Sequence, residues 1–268
     1  MKNWTSSNGL KYDECPWLTD RQDALRVAAF LGVSMHPLNF EKQYKKTVMD
    51  YFFTEYKNGR TPNPDVMCNK EIKFKLLYDW AMKNGFDYMA TGHYAQVKKL
   101  KVKQGSGANV ILSAAKNLNK KRSFAIAQDD GSLLFPRRWE SSDEKYQLVR
   151  SADEFKDQTY FIYNIAQAQL PHLLFPIGAM KKSQVKALAK KLKLPNADKK
   201  ESMGLCFVGK IRLKDFLEQK LKIKTGPVVT VTGEEIGEHQ GLPFYTVGQR
   251  QGIRIGTGGP WFVVRKEL

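Results

Sequence analysis

The sequence predicts an α/β chain built on a parallel sheet, followed by a helical region and the start of a small β domain. Three observations carry this expectation. Helix-like and strand-like patterns alternate over residues 1–97, the rhythm of a parallel sheet flanked by helices. Helical character returns after Asp157. From Pro227 the pattern changes to short β runs separated by glycines, VVTVTGEEIGEHQGLPFYTVGQRQGIRIG. At 268 residues the chain can bury a sizeable core, in one large domain or two.

Thr19 to Leu31 is predicted helical, because Ala24, Val27, Ala28 and Leu31 recur at helical spacing and Gly32 is a natural stop. Val33 to Phe40 is predicted to be a short strand. Glu41 to Tyr56 follows as an aromatic-rich helix broken by Asn58-Gly59. Pro62-Asn63-Pro64 is predicted to be loop, since each proline pushes the residue before it away from helical geometry. A third helix is expected over Asn69 to Asn84, stopped by Gly85, then a strand over Tyr88 to Val97 interrupted by Gly92. Lys98 to Arg150 breaks this rhythm and is too long for a loop inside a compact domain, so it is expected to be a disordered insertion. Further on, Val185, Leu188, Ala189 and Leu192 form an apolar stripe of the kind that packs on a core, and Pro195 follows the helix. The predicted division is 1–97, 98–150, 151–224 and 225–268, and the ending at Leu268 is abrupt for a closed β unit.

Lys and Arg number 44 against 27 Asp and Glu, a formal net charge of +17. A balance this basic favours a phosphate-rich partner, because each cation that meets a phosphate releases counterions. The 98–150 stretch holds 12 basic and five acidic residues, so +10 of the charge lies outside it. No apolar run is long enough to span a bilayer and no signal-peptide core opens the chain, so no membrane partner is expected and a cytoplasmic location is the default. The three cysteines, Cys15, Cys68 and Cys206, form no CxxC pair. With His36, His93, His172 and His239 scattered singly, neither a disulfide framework nor a metal site is predicted.

Two cysteines sit in dense motifs, GRTPNPDVMCNKEIKF (Gly59 to Phe74) and ADKKESMGLCFVGK (Ala197 to Lys210), 138 residues apart. Only a fold can bring them together, and two such thiols in a basic chain point to sulfur chemistry on a polyanion. Cys68 follows a proline-rich loop at a predicted helix start, where a thiolate is favoured; its structural alternative is an inert buried thiol. Cys206, between Leu205 and Phe207, has the surroundings of a core thiol. Asp65 can serve as a turn residue after proline. As an anion it would raise the pKa of a nearby thiol, so it assists Cys68 only by taking its proton.

These motifs, with MKNW at the start, ATGHYA (Ala90 to Ala95), KDQTYF (Lys156 to Phe161) and GLPFYTVGQRQGI (Gly241 to Ile253), occur in an order that resembles the tRNA-specific 2-thiouridylase family over nearly the whole chain outside the insertion. The resemblance implies an incomplete nucleotide-binding domain like that of the PP-loop ATPases, a helical tRNA-binding region and part of a β domain. It also implies ATP-dependent replacement of oxygen by sulfur at C2 of the wobble uridine of tRNA, with Mg-ATP as cofactor. A uracil carbonyl is a poor electrophile, and adenylation makes its oxygen a leaving group. Sulfur then arrives as a persulfide and is released by thiol–disulfide exchange. The partners implied are tRNA and a sulfur-donor protein, either a persulfide relay or a cysteine desulfurase.

By the same resemblance Cys68 matches the nucleophile, Cys206 the persulfide-bearing cysteine, and Asn63, Pro64 and Asp65 the positions beside the target base. Met1 and Gly92 match nucleotide contacts, and His93, Lys156, Asp157 and Gln158 match tRNA contacts. Taken as residues alone, Gly92 is a strand kink, His93 a structural histidine and Asp157 a helix cap. The family opens with a strand and an SGGVDS-type loop whose amides hold phosphates. MKNW stands at the start here with no such loop before it. The expectation from this departure is a chain truncated at its N-terminus, and at its C-terminus too, that neither adenylates nor thiolates tRNA unaided. The alternatives are a non-catalytic tRNA-binding remnant and a gene fragment.

Overall fold

The computed structural model describes residues 1–2, 16–100, 145–199, 213–253, 255–256 and 258–267. Helix α1 (Pro16–Leu31) forms as its periodicity predicts. The predicted strand at Val33 to Phe40 does not. Among the described residues only Lys2 comes alongside it, in a single parallel bridge to Asn39. There the Lys2 amide donates to Leu38 O (2.7 Å) and the Phe40 amide to Lys2 O (2.9 Å).

Helix α2 runs through three consecutive segments, Glu41–Tyr44, a π-helical Lys45–Met49 and Asp50–Lys57. Tyr44, Val48, Phe52 and Tyr56 recur every four residues and are all buried. A strict α-helix would carry a four-residue repeat slowly around its axis; the wider π turn keeps it on one face. Helix α3 is built the same way, from Pro64–Met67, a π-helical Cys68–Leu77 and Tyr78–Lys83. It begins before the predicted Asn69, inside the presumed proline loop. Pro64 takes the first helical position, where a missing N–H costs nothing, and the Asn63 side chain caps the turn by accepting from the Val66 amide at 3.1 Å.

The predicted strand at 88–97 divides into β1 (Met89–Ala90) and β2 (Ala95–Leu100). β2 pairs antiparallel with β3 (Lys145–Arg150), from Ala95↔Arg150 to Leu100↔Lys145. Both ends of the presumed insertion are therefore strand, because Val97 and Leu148 pack on the core while Lys98, Lys99 and Lys145 are exposed; residues 101–144 lie outside the described residues. β1 pairs in parallel with β4 (Leu173–Leu174). The region after Asp157 holds 3-10 turns at Thr159–Phe161 and Leu170–His172 rather than an immediate helix. Helix α4 (Lys182–Lys191) follows. Its apolar stripe is not a core face: none of its residues is buried, and Leu188 and Leu192 are exposed. Helix α5 (Leu213–Glu218) leads to a hairpin of β5 (Gly226–Val229) and β6 (Glu235–His239).

Two apolar clusters meet along α3. One joins Cys68 and Ile72 to Tyr44, Val48, Phe52 and Tyr56 of α2 and to Phe216 and Leu217 of α5. The other joins Phe74 and Tyr78 to Met89, Ala95, Ile162, Leu173 and Phe175. Close packing at the second cluster demands Gly178, where a Cβ would stand 1.6 Å from Ala95 O.

Candidate functional site

The cap at Asn63 fixes the first turn of α3, and with it Pro64 and Asp65. Pro64 is buried and Asp65 half-buried. Burial pushes the Asp65 carboxyl above the usual carboxylate range, and the Lys73 ammonium only partly opposes this. Asp65 therefore holds a proton more readily than an exposed aspartate. Cys68 is one turn deeper in the helix than a first-turn thiol. It is 3% exposed within the first apolar cluster. Such surroundings favour the neutral thiol, so in this arrangement Cys68 has the environment of a packed side chain.

Asp65, Asn69 and Lys73 follow one another at four-residue spacing and share a face of α3. Asn69 is 3% exposed; its amide nitrogen donates to Phe161 O at 3.1 Å, while its Oδ1 is buried without a hydrogen bond. Lys73, half-buried, acts electrostatically on both Asp65 and His93. Sequence reasoning missed Asn69 and Lys73. The signal was available in CNK and IKF, but only with the helix started at Pro64 does their common face emerge.

His93 lies between β1 and β2, 9% exposed, with its ring 5.7 Å from that of Phe74 and 6.2 Å from that of Phe175. Its Nδ1 is 2.8 Å from Thr91 Oγ1. Burial, then the charge of Lys73, lowers its pKa to about 4, so the imidazole is neutral at physiological pH. Beside it a Cβ on Gly92 would meet nothing within 4 Å, which leaves the backbone open to a ligand. Met1 is exposed and adjoins the Lys2–Asn39 bridge; no hydrogen bond among the described residues links it to Gly92.

Gln158 joins this loop to the next. Its amide donates to Tyr94 O (2.9 Å) while its side-chain oxygen accepts from the Tyr94 amide (3.0 Å). Asp157 is not a helix cap. Its carboxylate accepts from the Ser151 amide (2.8 Å) and from Thr159 Oγ1 (2.5 Å), closing the turn in which Lys156 stands. The structure thus brings Asn63, Pro64, Asp65 and Cys68 along one helix, and couples that helix to His93 through Lys73 and to the 156–161 segment through Asn69. Cys206 and Cys15 lie outside the described residues. Two anchors flank the Cys206 segment: Lys199 binds Asp20 and Asp23 of α1 at 2.7 Å each, and α5 packs in the cluster that holds Cys68. Among the described residues no group of three His, Cys, Asp or Glu is placed to hold a metal ion, and no helix is long and apolar enough to cross a membrane.

A parallel strand pair among helices, followed by a β unit, defines an α/β chain with a second, β-rich part. Residues 1–137 and 135–210 match the family described as the tRNA methyl transferase HUP domain, and residues 214–268 match the tRNA methyl transferase PRC-barrel domain. The chain belongs to this family, whose relatives carry the name of the 2-thiouridylases that the motifs resemble. It is 42% identical over 274 residues to the tRNA-specific 2-thiouridylase MnmA of Enterococcus faecalis, covering 100% of this chain and 61% of the relative. It is 42% identical over 269 residues to the protein of that name from Listeria monocytogenes, at 100% and 61% coverage, and 42% over 271 residues to that of Alkaliphilus oremlandii, at 100% and 62%. The chain thus spans about three fifths of the length of these curated relatives.

Proposed function

We propose that the chain carries the sulfur-transfer and RNA-facing part of a tRNA-uridine 2-sulfurtransferase, acting at C2 of the wobble uridine. The observation that supports this best is the joining of Asp65 and Cys68 on α3 to His93 and to the Lys156–Gln158 turn, so that a proton acceptor, a thiol and a lysine-bearing turn share one region. Its raised pKa suits Asp65 to receive the Cys68 proton. The thiolate of Cys68 then attacks the inner sulfur of a persulfide on Cys206. The inner-to-outer S–S bond breaks, a Cys68–Cys206 disulfide forms, and the outer sulfur leaves with the electron pair of the broken bond for C2. A thiol reductant returns the pair to the dithiol state. Neutral His93 donates or accepts a hydrogen bond without adding charge. Met1 and Gly92 would hold the nucleotide, for which the space over Gly92 leaves room; ATP, when bound with Mg, supplies the activation of the C2 oxygen as a leaving group. The sulfur donor is a persulfide-carrying protein.

Cys68 must leave its apolar pocket for this chemistry. Helix α5, which packs in the same apolar cluster as Cys68, begins seven residues after Cys206 in sequence. The same burial favours a second reading, a tRNA-binding chain without catalysis. The two part experimentally. With a persulfide donor, Cys68→Ser is expected to accumulate a trappable persulfide on Cys206, whereas the parent chain passes on to the disulfide, as read by alkylation and mass spectrometry. Cys206→Ser should acquire neither. A parent chain that binds tRNA but shows no persulfide and no disulfide supports the binder, and one that does neither removes both readings.

A further inference from the structure

Residues 150–161 form a turn held at many points, yet its tip faces solvent with an aromatic ring. The Ser151 amide donates to Asp157 Oδ1, Ser151 Oγ to Asp153 O (2.7 Å), and the Ala152 amide to Gly178 O (2.8 Å). The Lys182 amide donates to Asp153 Oδ2 (2.8 Å), which ties the start of α4 to the same turn. The Lys156 amide donates to Asp153 O (3.1 Å), closing a four-residue turn with Phe155 at its third position. Phe155 is 99% exposed. A fully solvated phenyl ring on a mobile loop would mean little. On a turn pinned this way it is a ring held out in a set place, and it packs against none of the described residues.

We propose that Phe155 is a stacking platform for an unpaired base of a single-stranded RNA loop. The inference rests on the tRNA reading above and goes beyond it by assigning a base contact to a residue that the motifs did not single out. Three observations favour RNA over another occupant. Lys156 adjoins the ring in sequence, and the exposed Lys181 stands at the start of the helix tied to its turn, so cations are near for the phosphates. Of the acidic residues here, Asp153 and Asp157 keep their charge but are directed to backbone and hydroxyl donors of the turn rather than to its tip, where Glu154 stands. Tyr160 and Tyr163, a few residues on, are also more than half exposed, so the segment offers further aromatic faces. Aromatic rings interleaved with lysines bind unstacked bases through the π face and the backbone through charge, without requiring a particular sequence.

The test is filter binding by the full chain over a range of salt, using an unmodified tRNA, a stem-loop RNA with a single-stranded loop, and a fully paired duplex. Phe155→Ala is expected to weaken binding of the tRNA and the stem-loop about fivefold to a hundredfold. It should leave the salt slope and duplex binding unchanged, since no charge is removed. Phe155→Trp should bind like the parent. Lys156→Gln should instead lower the log–log salt slope by about one. Because Phe155 packs on nothing, thermal unfolding of the alanine variant should match the parent. Equal binding by parent and Phe155→Ala overturns this proposal alone, as does an equal loss on duplex and stem-loop. Intact RNA binding with weakened acceptance of sulfur from a donor protein also overturns it, assigning the ring to that protein. A parent chain that binds none of the RNAs overturns both this proposal and the tRNA reading.

Discussion

His93 shows how a single environment sets both a chemical state and a stability profile. Its ring packs against Phe74 and Phe175, and Lys73 adds a like charge, so its pKa falls from 6.5 to about 4. Between those values an unfolded chain binds a proton that the native ring refuses. The native state therefore keeps the full benefit of the neutral ring above pH 6.5 and loses it as pH falls toward about 4. Asp65 acts with the opposite sign. Its native pKa is raised, so its contribution is present below the ordinary value of 3.8 and is lost as pH rises through the elevated one. Urea midpoints measured across this range should fall on acidification in the parent chain, and more shallowly in His93→Gln; an unchanged slope in that variant would place the titration elsewhere. Both residues were legible in the sequence as polar groups inside dense motifs. Their protonation states were not, because these depend on Phe175 and Lys73, which only tertiary packing and the helical register bring near.

At the scale of the element, α3 is the instructive case. Its existence was legible from the periodicity of residues 69–84, but its start was not. Pro62-Asn63-Pro64 looks like a breaker when prolines are weighed as interruptions, and like a cap followed by a first-turn proline when the unpaired amides of a helix start are counted. Asn63→Ala should cost about 1 kcal/mol of stability, and Asn63→Asp should retain most of it, measured by chemical denaturation. The site depends on this start, since Pro64, Asp65 and the thiol of Cys68 all take their direction from it. The outer half of β2, beyond Val97, and the whole of β3 were hidden for another reason. Each is half of a ladder whose partner lies beyond a long intervening stretch, and the adjacent Lys98 and Lys99 break the two-residue period after Val97. On α4 the error ran the other way: an apolar stripe counts as core only where another element covers it, and Leu188 and Leu192 lie open.

Across the whole molecule, one helix serves two apolar clusters, with Cys68 and Ile72 on one side and Phe74 and Tyr78 on the other. The α/β class was legible in the alternation of patterns, and the parallel pairing of β1 with β4 agrees with it. The sharing of α3 was not legible, because it joins residues near 44, 72, 95, 173 and 216 that no local pattern relates. Ile72 is fully buried, and Ile72→Ala should cost about 2–5 kcal/mol. Loss of structure around Phe216 and around Phe175 should be brought forward together, as hydrogen exchange in the two regions would record; a loss confined to one region would mean that the clusters unfold separately.

The reciprocal pairing of Gln158 with Tyr94 ties the histidine loop by two hydrogen bonds to the segment whose turn carries Phe155. One glutamine thus links the loop of a buried imidazole to the segment of a solvent-facing phenyl ring, so Gln158→Ala is expected to loosen both places at once, as hydrogen exchange at Tyr94 and at the 151–157 amides would record.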